Sequence, residues 1–447
     1  MPSYDFSDGS FYYTIILSTY NVQISGLVKE KYTYVNVLIL PSIYYQGNNY
    51  IITEIKSEVF SGCTSLQSIS IPSSVTQIGN QAFTNCINLQ TVIISNNNNL
   101  LYIGTVGGSG STFANCKLLK SITLPRSTIL QNNTFFNCTN LTNITFFDNQ
   151  NTNATTFKNN VFLNCYNLKS IIIPDNVTSI GISAFSNCHS LGQITINNTS
   201  NLQTIQDNAF NNCTSLSSIY IPQLVSSIGS NSNGVFRGCT NLSNITVDPQ
   251  NQNFKSSTNG DLLLTKNEQE IIQFALNYNP NGNYIIPNTV SEIKIHAFAK
   301  SVNLTSITIP SSVIQIGSSA FSRCVSLQSV TFLGNNITLD VGVFLKCINL
   351  TSINLPTQLQ IIPVNAFKDC TNLNLDISLL ISLTSIGSYA FKGCRSLCGN
   401  TNTNILNLPN SLTSIGNYAL QGCIGLSNVI LNSINSTTIG DYAFLDC

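Results

Sequence analysis

Apolar and polar positions recur along this chain with a period close to 23 residues. Counting from Cys63, the apolar positions are Leu66, Ile69, Ile71, Val75, Ile78, Ala82 and Phe83, and Cys86 closes the cycle. The same order follows Cys165, through Leu168, Ile171, Ile173, Pro174, Val177, Ile180, Gly181, Ala184 and Phe185 to Cys188. It follows Ser301 with Ile307, Ile309, Pro310, Val313, Ile316, Gly317 and Phe321. Leu-x-x-Ile-x-Ile alternates with period two and is β-branched, which predicts a short strand with one buried face. Proline removes a ladder donor and ends it. Val-x-x-Ile-Gly predicts a second, shorter extended segment on the opposite wall, with its glycine expected at φ > 0. Ala-Phe-x-x-Cys is too short for a stable helix and predicts a tight or 3₁₀ turn.

Self-similarity at this period is the signature of a stacked solenoid. The aromatic–cysteine pair runs from Phe60/Cys63 to Phe444/Cys447; Leu420 replaces phenylalanine before Cys423, and Phe298/Ser301 loses the sulfur. One coil buries too few side chains to offset the entropy of ordering it, so the coils must stack. Parallel strands of successive coils should lie about 4.8 Å apart in one long sheet.

The period breaks in four places. Residues 1–45 lack the repeat; Phe11 to Leu17 and Asn21 to Leu27 predict two strands joined by a turn, an N-terminal β cap. Between Phe83 and Phe113 the flexible run Gly107-Gly108-Ser109-Gly110 is inserted, and Gly399 to Asn404 stretches the spacing before Leu420. The widest break separates Phe236 from Phe298. There Leu262-Leu263-Leu264 and Ile271-Ile272-Gln273-Phe274 flank Lys266-Asn267-Glu268 and predict a β-hairpin, entered by a polar loop from Asp248 to Asn259. The expected organisation is a cap (1–45), a first repeat block (46–247), an irregular island with the hairpin (248–285) and a second block (286–447). The second block stops at Cys447 without a capping sequence.

Charged residues make up 8% of the 447, eighteen basic against eighteen acidic. No basic stripe stands out along the chain, which argues against a nucleic-acid partner. No run reaches the roughly 18 apolar residues of a membrane span. Met-Pro-Ser-Tyr-Asp-Phe at the start has no basic segment and no apolar core, so no secretory signal is expected. Fourteen of the fifteen cysteines share one repeat position, which predicts a buried structural ladder and not reactive sulfur. No Cys-x-x-Cys pair is present for zinc, and parallel stacking aims neighbouring Cβ vectors the same way, a poor geometry for disulfides. Cys398 lies outside the pattern and is the candidate reactive thiol. His189 and His296 are several coils apart and cannot share a metal or a triad, and no phosphate-binding or zinc-protease motif occurs. The sequence therefore predicts no enzyme, no catalytic residues, no metal and no cofactor.

The pattern L-x-S-I-x-I-P-x-S-V-x-x-I-G-x-x-A-F-x-x-C is seen in Leu66 to Cys86, Leu168 to Cys188 and Leu304 to Cys324. It resembles the BspA-type leucine-rich repeats, also called the Treponema pallidum type, over about residues 50–447. The segment with Val247-Asp248-Pro249, Gly260-Asp261-Leu262 and Ile285-Ile286-Pro287 is similar to an irregular stretch of that family. The resemblance implies a curved right-handed solenoid with a concave parallel β-sheet. It also implies a surface or secreted protein that adheres to a protein or glycan. The absent signal and anchor leave an intracellular, cytoplasmic interaction scaffold as the alternative.

Outward strand positions are the fifth and seventh after each cysteine. They are Ser68/Ser70, Ser121/Thr123, Asn143/Thr145, Ser170/Ile172, Gln193/Thr195, Ser218/Tyr220 and Asn244/Thr246, then Ser306/Thr308, Ser329/Thr331 and Ser352/Asn354. This predicts a nearly uncharged lawn of short hydroxyls and amides able to hydrogen-bond a protein or glycan. The same residues also suit an exposed strand for purely structural reasons. Tyr220 is the one aromatic among them and the candidate hot spot.

Overall fold

The computed structural model describes residues 5–16, 20–95, 100–148, 152–229, 234–279, 283–397, 404–431 and 437–447. Leu17, Cys398 and residues 399–403 lie outside them. The chain divides into two compact units, Met1–Ser230 with Asp248–Gln252, and Asn231–Val247 with Asn253–Cys447. Each is a β-solenoid whose coils build parallel ladders of short strands, and no α-helix occurs among the described residues.

In the first unit the Leu-x-x-Ile-x-Ile segments form a seven-stranded parallel sheet running from Asn36–Leu38 and Ser68–Ile71 to Ser170–Ile172 and Gln193–Thr195. Ile69, Ile122 and Ile171 point inward and are buried, as alternation requires. Val-x-x-Ile-Gly supplies the opposite ladder of short strands, such as Gln77–Ile78, Tyr102–Ile103 and Ile129–Leu130. That ladder is closed by Asn48–Ile55, then Asn21–Leu27, whose antiparallel partner is Phe11–Ile15. The N-terminal hairpin forms as the sequence predicts. It shields the first coil: Phe11 packs edge-on against Phe60 at 5.9 Å.

The turn joining the walls carries the phenylalanines. Phe60, Phe83, Phe113, Phe135, Phe162, Phe185 and Phe210 stack one per coil, with centroids 5.0–5.5 Å apart. Each ring is fully buried. Burying a side chain of this size contributes about 1.5–3 kcal/mol, so this column is a main source of coil-to-coil cohesion. Three residues on, each thiol reaches back one coil. Cys86 Sγ donates to the Phe60 carbonyl at 3.0 Å, Cys138 to Phe113 at 3.1 Å and Cys188 to Phe162 at 3.2 Å. The cysteine fills the volume under the turn and adds a second donor to a carbonyl that already accepts the backbone N–H of the cysteine in its own turn, as Phe60 does from Cys63.

The repeat glycine has the expected positive φ at Gly104 and Gly229 (93 and 65), but a different role at Gly79, Gly181 and Gly317, which do not have positive φ. A Cβ on Gly79 would sit 2.4 Å from the backbone nitrogen of Ser57, so glycine is needed for close approach of successive coils. The left-handed positions lie in the turn, two residues before each phenylalanine and one before each cysteine. Gln81 and Asn85 (φ 55 and 60), Asn160 and Asn164 (59 and 64), and Ser319 and Arg323 (56 and 60) show the pattern. Asparagine tolerates this conformation better than most residues, which accounts for the recurring Asn-Cys pair.

In the second unit the island holds the predicted hairpin, Leu262–Thr265 against Glu270–Phe274. The expected polar loop before it is partly strand: Phe254–Ser256 pairs antiparallel with Leu262–Thr265 and makes the element three-stranded. Glu270–Phe274 then pairs in parallel with Glu292–Ile293, converting the hairpin into the first rung of the ladder that continues through Gln315–Ile316 and Thr338–Leu339. Phe274 takes the repeat's aromatic position and stacks on Phe298 at 4.7 Å, below Phe321, Phe344, Phe367 and Phe391. At the coil lacking sulfur, Ser301 turns its hydroxyl to the Phe298 carbonyl of its own coil at 2.7 Å.

Candidate ligand-binding face

The outward residues of the long-strand sheets fall into two columns. In the first unit one column is Asn36, Ser68, Thr91, Ser121, Asn143, Ser170 and Gln193, in register strand by strand. Beside it runs Leu38, Ser70, Ile93, Thr123, Thr145, Ile172 and Thr195. The second unit repeats the arrangement with Asn283, Ser306, Ser329 and Ser352 beside Ile285, Thr308, Thr331 and Asn354. The structure thus brings the predicted strand residues together within each unit. Ser218 and Tyr220 lie on Ser218–Ile221 of the first unit, and Asn244 and Thr246 on Asn244–Val247 of the second.

The face differs from the expected lawn in two respects. First, aliphatic side chains stand among the hydroxyls: Leu38, Ile93, Ile172 and Ile285 are 67%, 53%, 62% and 65% exposed. Second, many polar groups are partly occupied by each other. Thr123 and Thr145 hydroxyls lie 2.8 Å apart, Ser68 donates to Asn36 Oδ1 at 2.6 Å, and Asn283 Nδ2 donates to Thr308 Oγ1 at 2.7 Å. Asn354 is bound to both backbone groups of Phe332. Tyr220 donates its hydroxyl to Asp248 Oδ2 at 2.6 Å, and burial together with that carboxylate pushes the phenol up to about 12. Its hydroxyl is therefore committed, and what it offers a ligand is ring surface.

One cleft of about 370 Å³ opens on this face around Asn143, Thr145, Ser170 and Ile172. Ile172 provides an apolar surface and the hydroxyls and amide provide directed hydrogen bonds. At the rim Arg126 Nε pairs with Asp148 Oδ1 at 3.2 Å, while Asp175 accepts from Asn197 and Thr199 at 2.9 and 2.7 Å. Such a mixture of one apolar anchor with convergent polar groups suits an extended ligand carrying both kinds of surface. Sequence reasoning missed Asn36/Leu38 and Thr91/Ile93, which continue both columns. Leu38 lies before the first cysteine, in a segment without the repeat signature. Thr91/Ile93 sit at the fifth and seventh positions after Cys86, where counting would have found them.

The titratable groups follow burial. Thiols of Cys63 and Cys86 are pushed up to about 11 and 12, and those of Cys116 and Cys165 well above their ordinary range, by burial first. All fourteen described cysteines are free, and Cys447 alone among them is exposed. His189 stacks on Tyr166 at 5.3 Å with Nδ1 against the Asn212 carbonyl, whereas His296 is buried in the other unit. Among the described residues no group of three or more His, Cys, Asp or Glu side chains is placed to hold a metal. No helix of the described residues is long and apolar enough to cross a membrane.

Comparison with known proteins agrees with this architecture. Residues 30–160, 155–265, 269–398 and 396–447 match the BspA type leucine rich repeat region. The fold is similar to a leucine rich cell surface protein from Faecalibacterium prausnitzii (26% identity, TM-score 0.63, covering 95% of this chain and 93% of that one). It is also similar to a leucine-rich repeat protein from Bacteroides ovatus (26%, TM-score 0.55, 99% and 92%). The pneumococcal vaccine antigen PcpA shares the fold at 19% identity (TM-score 0.50, 98% and 87%). No curated protein matches the chain. Repeat, ladders and family match together establish that this chain belongs to the BspA-type leucine-rich repeat family.

Proposed function

We propose that this protein is a non-catalytic recognition scaffold that holds a protein or glycan on the outward face of its long-strand sheets, and that it works at the cell surface or outside the cell. The observation that carries the reading is the face itself: two registered columns of hydroxyls and amides with Ile93 and Ile172 exposed among them. Exposed isoleucines set in a registered row of hydroxyls and amides give a ligand apolar contacts beside directed hydrogen bonds. The similarity to a protein described as a cell surface protein supports the location. The island hairpin offers a second contact surface.

Fourteen free thiols favour a second reading, an intracellular interaction scaffold, because reduced cysteines persist readily in the cytosol. Biotinylation of intact cells that make the protein separates the two. Labelling supports the surface reading and protection from the reagent sinks it. A binding panel of matrix proteins and glycans with Ile172→Arg and hairpin-deleted variants then tests the faces; binding that survives both changes contradicts the assignment.

A further inference from the structure

The left-handed residue before each cysteine forms a row along the turn edge. In the first unit that row is Asn85, Asn115, Asn137, Asn164, Asn187 and Asn212. Its amides bond one coil to the next: Asn115 Nδ2 to Asn85 Oδ1 at 2.9 Å, Asn137 to Asn115 at 2.8 Å, Asn187 to Asn164 at 2.9 Å and Asn212 to Asn187 at 3.0 Å. The row is neutral, self-satisfied and made of a residue that accepts this backbone.

In the second unit the same row is Lys300, Arg323 and Lys346, at φ 69, 60 and 60. Their backbones stack in the same register, with Lys300 N on Ser322 O, Arg323 N on Leu345 O and Lys346 N on Lys368 O. Neither lysine nor arginine favours the left-handed region, and like charges on adjacent coils repel. Burial and the Arg323 charge hold Arg237 below its ordinary range, and burial with Arg237 and Arg323 does the same to Lys300. The next left-handed positions are Asp369, 3.9 Å from Lys346, and Gly393, and the residue just before each of them is a lysine. The ammonium groups of these two, Lys368 and Lys392, lie 5.2 and 5.5 Å from the Tyr389 ring. The first unit shows that the fold does not require cations here, so their presence answers to something outside the fold.

We propose that this edge of the second unit, from Arg237 through Lys300, Arg323 and Lys346 to Lys392, binds a sulfated polysaccharide. A line of cations, one in each turn from Lys300 to Lys392, complements a stiff polyanion. Single-stranded nucleic acid is the competing polyanion, but it gains affinity by stacking bases on free aromatic faces. Here Tyr389, Tyr418 and Tyr442 are stacked on one another at 5.1 and 5.2 Å, nearly parallel, with no gap for a base between them. The inference goes beyond the sheet-face reading and uses different residues.

Heparin binding of the full-length protein, measured at 50 and 150 mM salt, tests the proposal. Arg323→Asn/Lys346→Asn places the first unit's own ladder residue in the row, and Lys392→Gln tests the far end without touching the left-handed positions. The double variant should bind heparin at least tenfold more weakly, with a salt slope lower by about two. Desulfated heparin should bind the wild type at least tenfold more weakly than heparin. Ile172→Arg should bind heparin as the wild type does, so that failure of the sheet-face reading stays distinct. No heparin binding, unchanged binding by both row variants, or tighter binding of oligo-dT than of heparin would each overturn the proposal.

Discussion

Cys86 donates its thiol hydrogen to the carbonyl oxygen of Phe60, 3.0 Å away and one coil earlier. The relationship recurs from Cys116 on Phe83 to Cys423 on Phe391, so the Phe-x-x-Cys signature joins neighbouring coils instead of marking a reactive site. Cys165→Ala removes the thiol donor to the Phe135 carbonyl, which keeps its bond from the Cys138 backbone N–H. The expected loss is about 0.5–1.5 kcal/mol in urea unfolding, with Cys165→Ser losing less because it keeps a donor.

Alkaline stability follows from the same ladder. Burial holds the folded-state values of several thiols above the ordinary 9.0, at about 11 for Cys63 and about 12 for Cys86 and Cys138. Above pH 9 the unfolded chain releases protons that the folded chain keeps. The stabilisation is therefore complete below pH 9 and lost as pH rises toward 11–12. Each thiol should contribute a slope of up to about 1.4 kcal/mol per pH unit in that window. Thermal melts from pH 8 to 11 check this, and a flat midpoint would show that the thiols ionise while folded.

His296 gives the opposite window. Burial first, with the Arg237 and Lys300 charges, pushes it down to about 4 from 6.5. The folded state therefore holds the neutral ring, and its stabilisation is present above pH 6.5 and lost as pH falls toward 4. The loss should be on the order of 3 kcal/mol. His296→Asn, which suits the left-handed backbone, should flatten stability across that range; an unchanged acid limb would place the sensitivity elsewhere.

Gly79→Ala should destabilise by about 1–3 kcal/mol, because its Cβ would meet the Ser57 backbone nitrogen at 2.4 Å. Asn160→Gly, at a left-handed position, should cost far less. Equal losses in the two variants would refute the distinct roles assigned to these positions.

The parts of the fold that run along the chain were legible in the sequence. Ile69 and Ile71 alternate into the core and Phe60 and Cys63 mark the turn, because strand and turn chemistry act between close neighbours. What was hidden runs across the chain. Phe274 joins the aromatic column without a cysteine to announce it, and Arg323 and Lys346 become neighbours only when coils stack. Glycine was misread for a related reason: Gly79 answers to Ser57 in the previous coil, which no local pattern displays. The candidate face was half legible, since position counting found Thr145 and Ser170 but treated the face as uniformly polar and left out Ile93.

Equilibrium binding of the panel ligand by the wild type and by Ile93→Arg/Ile172→Arg most directly tests the claim that the sheet face is the recognition surface. Both isoleucines are exposed, so thermal unfolding should hardly move. The expected result is a Kd at least tenfold weaker, with the melting temperature within a few degrees of wild type. An unchanged Kd would contradict the account.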